Sequence, residues 1–187
     1  HQALTALTSG AENTAVGYQA GLVLTNEGAN TIMGYQAGKA LTGNGNVMMG
    51  VGAGIASVDV NNTVIIGYAA NNSGNMTDAA SGTVAIGYLA GYSLTSGASN
   101  TAIGYQSLDA ATTDDFNTAV GYQSLSGVTG TNNNHNSALG YASGAGLTTA
   151  QESVAIGSKA LQTHTTGSRN IAIGHQAMYD TDAGSTS

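Results

Sequence analysis

Four histidines, ten carboxylates and one glycine-rich run are the residues that could do chemistry in this chain. Their spacing gives each of them little to work with. Zinc needs three or four ligands converging at short, fixed separations, and His135 and His164 stand in turn-like segments with no second His or carboxylate at such a separation. His1 and His175 fall at equivalent positions of a repeat described below, which makes them substitutes within a pattern rather than ligands. Asp114-Asp115 invites a calcium or paired-acid reading, but no third carboxylate lies near enough to complete a hard-cation site. Gly50-Val51-Gly52-Ala53-Gly54 imitates a dinucleotide fingerprint without the strand–helix context that gives that motif its mechanism. No Ser/His/Asp constellation stands out. The residues therefore predict no catalytic centre, no cofactor and no metal, so the chain is not expected to be an enzyme.

Two polar insertions remain as places for recognition. One runs over Asn71-Asn72-Ser73-Gly74-Asn75-Met76-Thr77-Asp78, the other over Thr131-Asn132-Asn133-Asn134-His135. Insertions in a repeat map to loops on one face, often the binding face. Asn72, Asn75, Asp78, Asn132, Asn133, Asn134 and His135 are accordingly the candidate ligand residues, with sugar hydroxyls as their natural partners. The plainer alternative is a tolerated surface loop that binds nothing.

Composition narrows the partners. The 187 residues include 28 Gly and no Pro, Cys or Trp, and only 7% are charged. Three basic residues (Lys39, Lys159, Arg169) against ten acidic ones leave a net charge of −7, the wrong sign for a phosphate backbone, so no nucleic-acid partner is expected. No apolar run approaches the roughly 20 residues of a membrane-spanning helix, so no membrane insertion is expected either. The low charge and the 41% hydrophobic fraction separate the chain from charge-rich disordered segments.

The repeat organises everything else. A five-residue block ending in glycine recurs at Gly17, Gly34, Gly50, Gly67, Gly87, Gly104, Gly121, Gly140, Gly157 and Gly174, at steps of 17, 16, 17, 20, 17, 17, 19, 17 and 17 residues. So regular a period predicts a solenoid. His1-Gln2-Ala3-Leu4 is in phase with His175-Gln176-Ala177-Met178, and no atypical capping repeat is visible at either end, so residues 1–187 read as one repeat region excerpted from a longer fibre protein.

Within a block, β-branched and apolar residues alternate with period two, a strand signal. The large residue before the glycine (Val16, Met33, Met49, Ile66, Ile86, Ile103, Val120, Leu139, Ile156, Ile173) is expected to fill the coil core. The residue one earlier (Ala15, Ile32, Met48, Ile65, Ala85, Ala102, Ala119, Ala138, Ala155, Ala172) would then face outward, and its apolar character predicts burial against another chain, hence an oligomer interface. Tyr follows the glycine in seven of ten repeats, either outward as a binding strip or packed into the coil or interface, with packing favoured. Three residues past the glycine the side chain is always Ala or Ser, which suggests a crowded second short strand. The Asn opening most blocks is suited to a hydrogen-bonded ladder along the axis.

Asn62-Thr63-Val64-Ile65-Ile66-Gly67 and Glu152-Ser153-Val154-Ala155-Ile156-Gly157 resemble the N-S-V-A-I-G block of trimeric autotransporter adhesin heads. Asn13-Thr14-Ala15-Val16-Gly17-Tyr18-Gln19-Ala20 and Asn100-Thr101-Ala102-Ile103-Gly104-Tyr105-Gln106-Ser107, with Leu94-Thr95-Ser96-Gly97 between blocks, are similar to repeats of bacteriophage tail fibres. The resemblance spans the chain. It implies an all-β, left-handed parallel β-roll of ten to eleven coils, three chains about one axis, and attachment to a host or cell surface through a glycan or protein receptor. It places the chain on a virion tail fibre or on a bacterial or extracellular surface; the 16- to 20-residue steps, longer and less uniform than adhesin-head repeats, favour the viral fibre. The alternatives are a bacterial trimeric adhesin head, an end-to-end extracellular filament and, less well supported, an ice-binding solenoid. That last needs an unbroken outward Thr rank, and the rank containing Thr14 is interrupted by Val47, Val64, Val84, Val154 and Ile171.

Overall fold

The computed structural model describes residues 2–129 and 134–179. It is an all-β solenoid whose coil advances by about 17 residues per turn, as the step of the block glycines requires. Ten three-residue strands run in chain order: β1 (Thr14–Val16), β2 (Thr31–Met33), β3 (Val47–Met49), β4 (Val64–Ile66), β5 (Val84–Ile86), β6 (Thr101–Ile103), β7 (Thr118–Val120), β8 (Ser137–Leu139), β9 (Val154–Ile156) and β10 (Ile171–Ile173). They form one parallel sheet in which each strand pairs only with its neighbours in sequence. The register is the repeat itself: Thr101 lies over Thr118, Ala102 over Ala119 and Ile103 over Val120. Each strand covers the three residues ahead of the block glycine.

The facing of the strands is the reverse of the sequence expectation. Ile32, Met48, Ile65, Ala85, Ala102, Ala119, Ala138, Ala155 and Ala172 are buried inside the coil of a single chain, and Ala15 is half-buried in the first strand. They are the core, not an oligomer interface. The row expected in the core points outward instead: Val16 is 56% exposed, Leu139 52% and Ile173 66%, with Met33, Met49, Ile66, Ile86, Ile103, Val120 and Ile156 at least partly exposed between them.

The physical reason is room. A 17-residue coil has a narrow bore already occupied from the far side by Ala20, Ala37, Ala53, Ala70, Ala90 and Ala160, and by leucines such as Leu24, Leu41, Leu94 and Leu147. Opposite these seven of the ten strands place an alanine, and the other three carry Ile32, Met48 and Ile65. Where the inward strand residue is large, a glycine makes the space: a Cβ on Gly38 would lie 3.0 Å from Met48 Sδ, and one on Gly54 only 2.7 Å from it. Core volume is thus conserved around the coil rather than at a position.

Among the described residues the chain turns between strands without forming a second strand, so the crowded stretch after the glycine is a turn, although its small residues, such as Ala20, Ala90 and Ser124, are buried as their size implied. The corners use left-handed backbone at non-glycine residues, including Gln19 (φ 55°), Gln36 (φ 55°), Leu108 (φ 51°), Ser99 (φ 52°) and Phe116 (φ 58°). Such a conformation costs an L-residue about 1–2 kcal/mol. It is held by the coils on either side, for example Gln36 N–H donating to Tyr18 O at 2.8 Å and Gln106 N–H to Tyr88 O at 2.9 Å. Because backbone donors at strands and corners alike feed such ladders, proline has no place in the repeat.

The Asn ladder is present and internal. Asn46 Nδ2 donates to Asn30 Oδ1 at 3.2 Å and to Val60 O at 2.8 Å, and Asn136 Nδ2 donates to Asn117 Oδ1 at 3.2 Å. Asn100 accepts from Asn117 N–H at 2.9 Å and donates to Asp114 O at 2.7 Å, closing the turn while linking two coils. Replacing Asn100 with Ala strands both groups in a dry interior, at about 1–3 kcal/mol for each. We expect Asn100→Ala to lower stability by about 2–4 kcal/mol in urea unfolding, and Asn100→Thr to recover part of it, as Thr83 at the equivalent place of the preceding coil accepts from Asn100 N–H and donates to Gly97 O, both at 3.4 Å.

Candidate functional site

His164, Asp114, Asp115 and the Gly50–Gly54 run occupy positions set by the repeat. His164 is buried in the coil where other turns place a leucine, its Nε2 3.2 Å from Gly167 O and 3.0 Å from Asn170 Nδ2. It lies in the core rather than in a turn, and serves as a spacer and turn clamp. Asp114 and Asp115 face opposite ways: Asp114 is buried, while Asp115 Oδ1 accepts from Ala98 N–H at 2.7 Å. They do not pair as two acids. Gly52 (φ 66°) and Gly54 (φ 59°) are corner residues in phase with the repeat. Among the described residues no group of His, Cys, Asp or Glu is placed to hold a metal ion, and no helix is long and apolar enough to cross a membrane.

The insertion at 71–78 is not a free loop. Asn71, Gly74, Met76 and Ala80 are buried, and Met76 and Ala80 join the core, with Asp78–Ala80 forming a single 3-10 turn. Asn72 is half-buried and donates to Gly52 O at 3.1 Å. Asp78 Oδ1 accepts from Asn61 Nδ2 at 2.7 Å, and only Asn75 is left exposed among these three with no recorded bond to a neighbouring coil. In the second insertion Asn134 Oδ1 accepts from Asp115 N–H at 2.7 Å, and His135 stacks on Phe116 with ring centroids 5.1 Å apart. Asn132 and Asn133 lie outside the described residues, as does His1. Among the described residues of the two insertions, Asn72, Asp78 and Asn134 extend the inter-coil ladders, which composition alone does not reveal.

A threonine column does run along one turn: Thr8, Thr42, Thr95 and Thr148 each donate Oγ1 to the backbone carbonyl of the next coil, at 2.9–3.1 Å. Those hydroxyls are committed to the protein, and Val58 interrupts the column.

The feature that faces solvent and is continuous is the strand surface. Its first column carries Val47, Val64, Val84, Val154 and Ile171 among Thr and Ser; its second is the large apolar row from Val16 to Ile173. The block glycines (φ 122–138°) stay extended in the mirror sense, so the tyrosines beyond them stand next to that row as a third column. Tyr18, Tyr35, Tyr68, Tyr88, Tyr105, Tyr122 and Tyr141 are 41–58% exposed, which removes them from the coil interior. Their rings stack: Tyr68, Tyr88, Tyr105, Tyr122 and Tyr141 form one column with successive centroids 4.9–5.5 Å apart, and Tyr18 and Tyr35 a separate pair. With a coil rise of about 4.8 Å and a side-chain repeat of about 6.6 Å, the three columns cover roughly 45 by 15 Å, on the order of 700 Å². Only the middle column is apolar in every strand; the first is half Thr and Ser (Thr14, Thr31, Thr101, Thr118 and Ser137), so the apolar part is a stripe within that face.

Ionisable groups are few in the chain. Burial pushes the Asp109 carboxyl up, against backbone hydrogen bonds at Asp109 and Ala110 that pull it down. For Glu27 burial works the same way but loses to hydrogen bonds from Thr25 and Asn26, which hold its carboxyl below the usual range. Arg169 and Glu152 form an exposed ion pair at 3.0 Å, equivalent residues one coil apart. No protein-family model, curated protein or solved structure matches the chain.

Proposed function

We propose that the chain is a self-associating structural and adhesive fibre segment, a homotrimer whose protomers meet through the outward apolar strand face. The observation that carries this reading is the uninterrupted apolar strip along ten coils. Each Å² of that strip left wet forgoes about 25 cal/mol. The number three and the attachment role rest on the resemblance of the repeat to tail fibres and adhesin heads. That resemblance also favours a virion surface, with a bacterial or extracellular surface as the alternative and a surface glycan or protein as the receptor. The core is one side chain thick, so rigidity in a long rod has to come from chains packed side by side. A catalytic role finds no support in the placement of the histidines and carboxylates.

Light scattering of the full chain over a wide concentration range tests this. A mass of three chains, independent of concentration, is the expected result. A folded monomer throughout overturns it, and mass that keeps growing with concentration supports the end-to-end filament instead.

A further inference from the structure

The tyrosine column has a chemical consequence separate from association. We propose that the five-ring stack Tyr68–Tyr88–Tyr105–Tyr122–Tyr141 is an oxidative cross-linking track, in which one-electron oxidants join consecutive coils of one chain through dityrosine bonds. Tyr88 and Tyr105 lie 4.9 Å apart with ring planes 8° from parallel, and Tyr105 and Tyr122 lie 5.0 Å apart at 6°. All five residues are 41–58% exposed on the single chain and lie beyond the strand row through which the protomers are proposed to meet, so a small oxidant reaches them. The chain has neither Cys nor Trp to divert the oxidising equivalents. The exposed Met33 sits beside the other tyrosine pair, on β2, and not in the five-ring stack.

The step balances with hydrogen peroxide and a peroxidase as oxidant. Each of two neighbouring phenols loses one electron and one proton. The two phenoxyl radicals couple through ortho carbons, and rearomatisation moves the two ortho hydrogens onto the oxygens. The product is a biphenol short of two hydrogens, and the peroxide takes up two electrons and two protons to become two waters. Radical coupling is ordinarily limited by encounter; here the register of the solenoid holds the partners adjacent, and pre-paid proximity of this kind raises rates by orders of magnitude. Rotation about χ1 and χ2 of half-exposed side chains supplies the remaining approach. Val51 interrupts the column between Tyr35 and Tyr68, so the structure contains its own negative control.

The full chain is treated with peroxidase and hydrogen peroxide, and read by dityrosine emission, intact mass and mapping of cross-linked peptides. The expected result is loss of two hydrogens per link at single-chain mass under denaturing conditions, with Tyr88–Tyr105 and Tyr105–Tyr122 among the linked pairs and Tyr35–Tyr68 absent. Tyr105→Phe removes the two links through that ring and leaves Tyr68–Tyr88 and Tyr122–Tyr141. In urea the within-chain yield falls at least roughly tenfold, because the proximity is lost. Equal yield in urea, linkage between rings that are not stack neighbours, linkage chiefly between chains when the protein is diluted, or no linkage while the peroxidase oxidises free tyrosine, would each overturn the proposal.

Discussion

Gly104→Ala is expected to remove about 3 kcal/mol or more of folding free energy, a large share of the roughly 5–15 kcal/mol that holds a domain together. Two effects act at that residue. Its backbone lies at φ 134°, where an L-residue is strained by about 1–3 kcal/mol. A Cβ there would also sit 2.4 Å from the carbonyl oxygen of Gly121 in the next coil; the Cβ is held rigidly by its Cα and the oxygen is backbone, so neither can swing aside. Relief requires prising two coils apart, at about 1–3 kcal/mol as for other overpacked sites. The same clash recurs up the stack, from Gly17 against Gly34 to Gly157 against Gly174. Gly82→Ala is the control. Its φ of 80° is also left-handed, but a Cβ there meets only Ser99 Oγ, at 3.4 Å. Its column holds ordinary residues in other coils, such as Phe116 (φ 58°) and Arg169 (φ 64°). That substitution should cost about 1–2 kcal/mol. Urea or thermal unfolding of the two variants separates stacking from conformation, and equal losses would mean the coils are not in van der Waals contact at the block glycine.

The contrast also shows what could be read from the sequence. The block glycines announced both the period and a place where only glycine fits, and the alternation ahead of them marked the strands, because a residue repeated in register stacks on its own copies. The Asn ladder was visible for the same reason. What the one-dimensional pattern could not carry was the width of the bore. Whether isoleucine or alanine faces inward depends on side chains a half-turn away, and the exchange between Gly38 or Gly54 and Met48 is apparent only when the coil is closed. The left-handed corners at Gln, Leu and Ser were hidden too, since those residues avoid such backbone unless neighbouring coils impose it. At the candidate site the tyrosine row was plain but its exposure was not, and the 71–78 insertion looked like a loop because its one buried apolar side chain, Met76, is outnumbered by polar neighbours.

The two adjacent residues Ala102 and Ile103 put the facing of the strand to its sharpest test. Ala102→Glu is expected to unfold the chain or nearly so. The residue is fully buried between Ala85 and Ala119, and a carboxylate there has neither a cation nor water. Even protonated, it adds four heavy atoms in a bore sized for a methyl group, so overpacking and an unpaired polar group add, at several kcal/mol together. Ile103→Glu changes the same charge one residue further on, yet that side chain is 36% exposed and the new carboxylate can reach water. The single-chain fold should survive with a loss of about 1 kcal/mol or less. Assembly should not survive, because each copy of the change buries an unpaired charge at the centre of the apolar strip, and removing a charge from water without a partner is worth several kcal/mol. Circular dichroism with light scattering distinguishes the outcomes: loss of β signal for Ala102→Glu, and a folded, dissociated chain for Ile103→Glu. The opposite pairing, with Ala102→Glu folded and monomeric and Ile103→Glu unfolded, would return the alanine row to the outside of the coil.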